Sequence, residues 1–150
     1  MARKSKKSFI TRHSLSIATV IILAGWTILY VLSDPSTHTG SFFGNAIADW
    51  SGVLITVLAT KHLYEKGSAE SKDPPSSGFL PSQVEEFLRE HSLTIFLLIT
   101  GVGWVILYSR MDTDSRWGEV VGNIVSEWTQ IIGLVWMTKR LMEVGSKESR

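Results

Sequence analysis

The chain has 150 residues, a formal net charge of +1, 44% hydrophobic and 19% charged residues, and no cysteine. The missing cysteine excludes disulfides, thiolate metal sites and cysteine nucleophiles. Mean hydropathy is positive, and the apolar residues gather in four runs at 15–32, 47–63, 93–108 and 124–142. Two of these runs, 15–32 and 93–108, contain no charge, which argues against a soluble bundle whose helices each need a charged face. The composition is that of a membrane protein with four spans.

In chain order, the N-terminal segment carries Arg3, Lys4, Lys6, Lys7 and Arg12 with no acid. By the positive-inside rule this holds the N-terminus in the cytoplasm. A secretory signal would begin the same way, but no A-x-A site lies in the loop 33–43 after Leu32 and the segment has an internal copy. Topology and anionic lipid account for the basic tail better than nucleic acid does. The first span is expected at about 14–32. The loop at 33–43 holds Asp34, Pro35 and His38 but no Lys or Arg, so it is expected outside. The second span, about 44–64, ends at Lys61, where the ammonium can snorkel to the headgroups.

The stretch 67–78 is a polar linker in which Pro74 and Pro75 forbid a helix. Ser82 and Glu85 have capping-box spacing, and Val84, Phe87, Leu88 and His91 share one face, so a short interfacial helix is expected at about 83–90. A third span follows at about 91–109. The outer loop 109–119 sets Arg110 and Arg116 among Asp112, Asp114 and Glu119. The fourth span, about 119–142, returns to a C-terminus with Lys139, Arg140, Lys147 and Arg150. All four prolines fall in loops, so none breaks a span.

The two halves repeat each other at a constant offset of 78 residues, without a gap. His13-Ser14-Leu15 matches His91-Ser92-Leu93, Gly25-Trp26 matches Gly103-Trp104, Ile28-Leu29-Tyr30 matches Ile106-Leu107-Tyr108, and Thr60-Lys61 matches Thr138-Lys139. Such self-similarity outranks local signals in deciding architecture. Residues 1–78 and 79–150 therefore form two units of two spans each. An even number of spans returns the chain to its starting side, so the repeat is parallel rather than inverted. The expected fold is all-α: an integral membrane protein with four transmembrane helices arranged as two parallel two-helix repeats.

Each unit pairs an acid-Trp helix start, Asp49-Trp50 or Glu127-Trp128, with an apolar span and a closing segment. Those segments are Gly67-Ser68-Ala69-Glu70-Ser71-Lys72 and Gly145-Ser146-Lys147-Glu148-Ser149-Arg150. This pattern resembles a family of small bacterial integral membrane proteins known only as a domain of unknown function. The resemblance implies a bacterial inner-membrane protein and carries over no catalytic residue.

Two groups of residues are candidates for function. On the second span Asn45, Asp49, Gly52, Thr56 and Thr60 form one stripe, and on the fourth Asn123, Glu127, Gln130 and Thr138 form another, interrupted by Leu134. Asp49 and Glu127, facing each other across a pseudo-twofold axis, could bind a cation or relay protons, because ionisable groups in spans are costly and usually functional. The competing structural reading places both acids one turn inside a helix start, capped by Asn45 and Asn123 and favoured by the helix dipole. Glu70 and Glu148, in the duplicated closing segments, are candidates for docking a partner; the rival reading makes each segment a helix stop with Gly at C′.

The aromatic residues Trp26, Tyr30, Trp50, Trp104, Tyr108, Trp117 and Trp128 are expected as an interfacial belt on the outer side, with Trp136 lipid-facing or packed. Gly25, Gly101 and Gly103 are expected to let helices approach closely. His13 and His91, without ligand-rich spacing, indicate no metal site. No nucleophile with a base and no phosphate loop is present, so neither enzyme activity nor a cofactor is expected. The reading is a structural or partner-binding membrane subunit, with an oligomeric ion channel or small transporter using Asp49 and Glu127 as the alternative. Its expected partners are the lipid bilayer, further copies of the chain or another membrane protein, and not nucleic acid.

Overall fold

A computed structural model describes residues 9–72, 82–112 and 114–141, with Val144 and Ser146. The basic residues Arg3 to Lys7, the Pro74-Pro75 linker and most of the second closing segment, including Glu148, lie outside the described residues. Within them the fold is all-helical: α1 (Phe9–Leu32), α2 (His38–His62), α3 (Gln83–Glu90), α4 (Ser92–Arg110) and α5 (Arg116–Arg140).

The short helix α3 has a counterpart hidden in α1. His13 interrupts α1 with φ −124° and ψ 15°, and His91 separates α3 from α4 with φ −118° and ψ 18°. Phe9 packs on the His13 ring at 4.5 Å and Phe87 on His91 at 4.7 Å. The two histidines thus make the same bend, one turn after the same aromatic residue. The expected capping box at Ser82 and Glu85 starts α3.

Helices α2 and α5 begin earlier than the expected spans, at His38 and Arg116 rather than at about 44 and 119. Their N-caps are Thr37 and Ser115, whose hydroxyls accept from the backbone N–H of Gly40 at 3.1 Å and of Gly118 at 3.0 Å. A side-chain oxygen here satisfies a donor that the first turn leaves unpaired. Asp34 Oδ1 accepts from Ser36 N, and Asp112 Oδ1 from Asp114 N, which shapes the preceding turn. The glycines are needed for space: a Cβ on Gly40 would stand 2.0 Å from the Asp34 carbonyl oxygen, and on Gly118 2.1 Å from that of Asp112.

The helices pack in a row, α1 on α2, α2 on α5 and α5 on α4, with α3 joined to α4 through the bend at His91. The central pair supplies most of the core, in which Tyr30, Ile47, Ala48, Val120, Ile124 and Trp128 form one cluster. Ala59, Leu93, Leu97 and Val135 form a second toward the other end. Gly44, Ala46, Ala48, Gly52 and Ala59 are buried on α2, and small residues of this kind let helices approach closely. The outer helices turn Val20, Ile21, Ile28, Ile99, Val102 and Val105 outward. Helices α1, α2 and α4 are each long and apolar enough to cross a membrane. At 25 residues α5 equals α2 in length, but Asn123, Glu127 and Gln130 interrupt its middle.

Two aromatic residues leave the expected belt. Tyr30 is 1% exposed and Trp128 5% exposed, because each has a polar partner inside. Tyr30 donates to the Arg116 carbonyl at 2.6 Å and Trp128 Nε1 donates to Thr100 Oγ1 at 2.9 Å; a satisfied polar atom lets a large ring be buried. Trp136 faces outward, as expected for a lipid-facing ring. Of the three glycines expected at close approaches, Gly101 alone is at one, its Cβ position lying 3.3 Å from Trp128 Cδ1; nothing lies within 4 Å of Gly25 or Gly103.

Candidate functional site

Along the seam between α2 and α5, residues 78 apart in sequence meet in pairs. Ser41 Oγ donates to Glu119 Oε1 at 3.3 Å. Asn123 Nδ2 donates to Asn45 Oδ1. The carboxyl groups of Asp49 and Glu127 are the next pair along the seam, close enough to interact electrostatically. The positions advance by four on both helices, so one face of each helix is used, and the helices run in the same direction and in register. Gln130 Nε2 extends the set by donating to Glu127 Oε1 at 3.2 Å.

Gly52 makes room for this arrangement. Its Cβ position lies 3.3 Å from both Glu127 Oε2 and Ile131 Cδ1. Below Gly52 the polar seam stops: Thr60 returns its hydroxyl to the Thr56 carbonyl at 2.6 Å, and Thr138 is buried against Ser68. Asn45, Asp49 and Gln130 are exposed, whereas Asn123 and Glu127 are half-buried. The seam is therefore a polar strip whose Asn45, Asp49 and Gln130 reach the surface.

The structure overturns the helix-start reading of these acids. With α2 beginning at His38 and α5 at Arg116, Asp49 and Glu127 sit about three turns inside, beyond the first turn where a dipole acts. Thr37 and Ser115 perform the capping, and Asn45 and Asn123 bond each other. What remains is a constellation of carboxyl, amide and hydroxyl oxygens. Two neighbouring carboxyl groups can share one proton or one cation, and such oxygens are the usual ligands of hard cations.

A second polar cluster, absent from the sequence reading, is centred on Glu65. Its side chain is 4% exposed, and Oε1 accepts from Lys139 Nζ and contacts His91 Nδ1, each at 2.7 Å. Burial raises the proton affinity of this carboxyl, but hydrogen bonds from Lys139, Thr94 and His91 outweigh it, so the group is held below the usual carboxylate range. Ser71 Oγ accepts from Glu65 N at 2.8 Å, and Ser68 Oγ meets Thr138 Oγ1 at 3.0 Å. The segment 65–71 is thereby folded onto α4 and α5.

This corrects the helix-stop reading of Gly67. Helix α2 ends at its C-cap Leu63 in extended conformation, and Gly67 takes φ 86° beyond that point, where it turns the chain back under the bundle. Only glycine adopts this backbone readily. Glu70 is half-buried and lines a cleft with Thr60, Lys61 and Lys72; Glu148 lies outside the described residues. The signal that could have exposed Glu65 is its identity with Glu143 at the repeat offset, alongside the matched His13/His91 and Lys61/Lys139 pairs. Comparison with protein-family models, with curated proteins and with solved structures finds no match.

Proposed function

We propose that this chain is a four-span bacterial inner-membrane protein, built as two parallel two-helix repeats with both termini cytoplasmic, that passes a proton or small cation along the α2 and α5 seam. The observation that carries the proposal is the juxtaposition of Asp49 and Glu127 on two helices whose flanking pairs, Ser41 with Glu119 and Asn45 with Asn123, meet in register on a polar strip. Carboxyl groups facing hydrocarbon are expensive, so in a bilayer the strip needs a water path or another copy of the chain over it. Oligomerisation belongs to the same proposal, as do a fourth span in α5 and membership of the small bacterial family that the repeat resembles. No catalytic residue is assigned.

The test is proton or monovalent-cation flux in liposomes holding the full chain. Asp49→Asn combined with Glu127→Gln preserves shape and removes charge, so it should abolish flux while the protein stays folded. Equal flux in the double variant, or none in the wild type, would overturn the proposal.

A second reading is a structural or partner-binding subunit, favoured by the cleft that Glu70 lines with Lys61 and Lys72. On that reading Glu70→Ala with Glu148→Ala removes a co-purifying membrane protein without lowering membrane abundance.

A further inference from the structure

The repeat places one histidine and one lysine at the corresponding end of each half, yet the two pairs have different surroundings. His91 and Lys139 converge on the Glu65 carboxylate, each at 2.7 Å. Their counterparts His13 and Lys61 instead touch each other, Lys61 Nζ lying 3.2 Å from His13 Nδ1. The ion pairs that Lys66, His91 and Lys139 make with Glu90 and Glu65 do not involve Lys61, His13 or Arg12. Beside the pair opens a cleft of about 280 Å³ lined by Arg12, His13, Ser16, Val57, Thr60 and Lys61. Glu70 lies in the neighbouring cleft, which shares Thr60 and Lys61.

We propose that the cleft at His13 and Lys61 binds a phosphate-type oxyanion, as the phosphodiester of a lipid headgroup or as free phosphate. The filled counterpart shows which atom this pair of donors accommodates: an anionic oxygen within hydrogen-bonding distance of both. Arg12 adds a guanidinium, whose planar fork suits phosphate. Phe9, Ile10 and Leu15, exposed beside these residues, provide an apolar surface along which an acyl chain could lie. The site is separate from the α2 and α5 seam and does not depend on ion passage.

The experiment titrates the full chain in a neutral detergent with three probes: inorganic phosphate, dihexanoyl phosphatidylglycerol, and dihexanoylglycerol, which lacks the phosphate. Binding is read by calorimetry and folding by thermal melting. The wild type should bind at least one phosphate probe and not the diacylglycerol; binding of phosphatidylglycerol alone identifies a lipid source, and binding of inorganic phosphate a soluble one. Lys61→Gln should weaken that binding on the order of tenfold, the loss expected for one hydrogen bond to a charged group. Lys61→Arg should retain binding, and Lys66→Gln should leave it unchanged. If Lys61→Gln does not fold, His13→Gln serves in its place and should also weaken binding.

Absence of binding by both phosphate probes, equal binding of the diacylglycerol, or full binding by a folded Lys61→Gln variant would overturn the proposal. Binding that appears only after Glu143→Gln would also overturn it. In that case the chain's own acid at the Glu65-equivalent position satisfies the cleft.

Discussion

Asn123 donates its side-chain amide to the side-chain oxygen of Asn45, the residue at the same place in the other half of the chain. A bond between equivalent positions can form only where the two halves meet in register. Changing either Asn to Leu should cost roughly 0.5–1.5 kcal/mol, the usual net worth of such a bond, and changing both should cost less than the sum. A double-mutant cycle on unfolding in detergent measures the coupling; strictly additive effects would show that the pair contributes nothing jointly.

Gly52 should be the glycine to which the acid pair is most sensitive. A methyl group there stands 3.3 Å from Glu127 Oε2, so Gly52→Ala should displace the carboxyl and reduce flux, with a stability loss on the order of 1 kcal/mol from overpacking. Gly25→Ala and Gly103→Ala meet open space and should leave both flux and melting temperature in place. Equal behaviour of all three variants would argue against a positioning role for Gly52.

Removing Lys139 should destabilise more than removing a typical surface lysine. Lys139→Ala leaves the buried Glu65 carboxylate short of one charged partner, at a cost of about 3 kcal/mol, whereas Lys66→Ala breaks a pair whose lysine side chain is 60% exposed and should cost at most about 1 kcal/mol. The Glu65 carboxyl is held below its ordinary value of 4.5. Its contribution to stability is therefore complete above that pH and is lost as pH falls through the depressed folded value. Unfolding followed from pH 7 into the acid range should show this loss in the wild type and a smaller one in Glu65→Gln. Parallel curves would reject the linkage.

Gly40→Ala and Gly118→Ala should each disrupt a helix start, since the new Cβ would stand about 2 Å from a backbone oxygen. Both should sharply lower the yield of folded protein. The cap substitutions Thr37→Ala and Ser115→Ala should be milder, at about 1 kcal/mol each. Comparing yield and melting temperature of the four variants checks the order; glycine variants as stable as the cap variants would contradict the close contacts.

The sequence alone determined the helical class, the apolar runs, the capping box at Ser82 and the matched halves, because periodicity and self-similarity are properties of the chain itself. It also placed Asp49 and Glu127 at equivalent positions. That these acids lie mid-helix follows from local caps which the apolar runs do not reveal, Thr37 and Ser115 accepting from Gly40 and Gly118 in turns shaped by Asp34 and Asp112; only the tertiary structure decided that the two acid-bearing faces meet in register. Tertiary packing also decided the fates of Tyr30 and Trp128, whose hydroxyl and indole N–H find partners on other helices and so leave the expected belt. Glu65 was illegible for the same reason. Its partners His91 and Lys139 are 26 and 74 residues away, and no local pattern encodes a buried charge whose neutralising groups arrive from the bend between α3 and α4 and from α5.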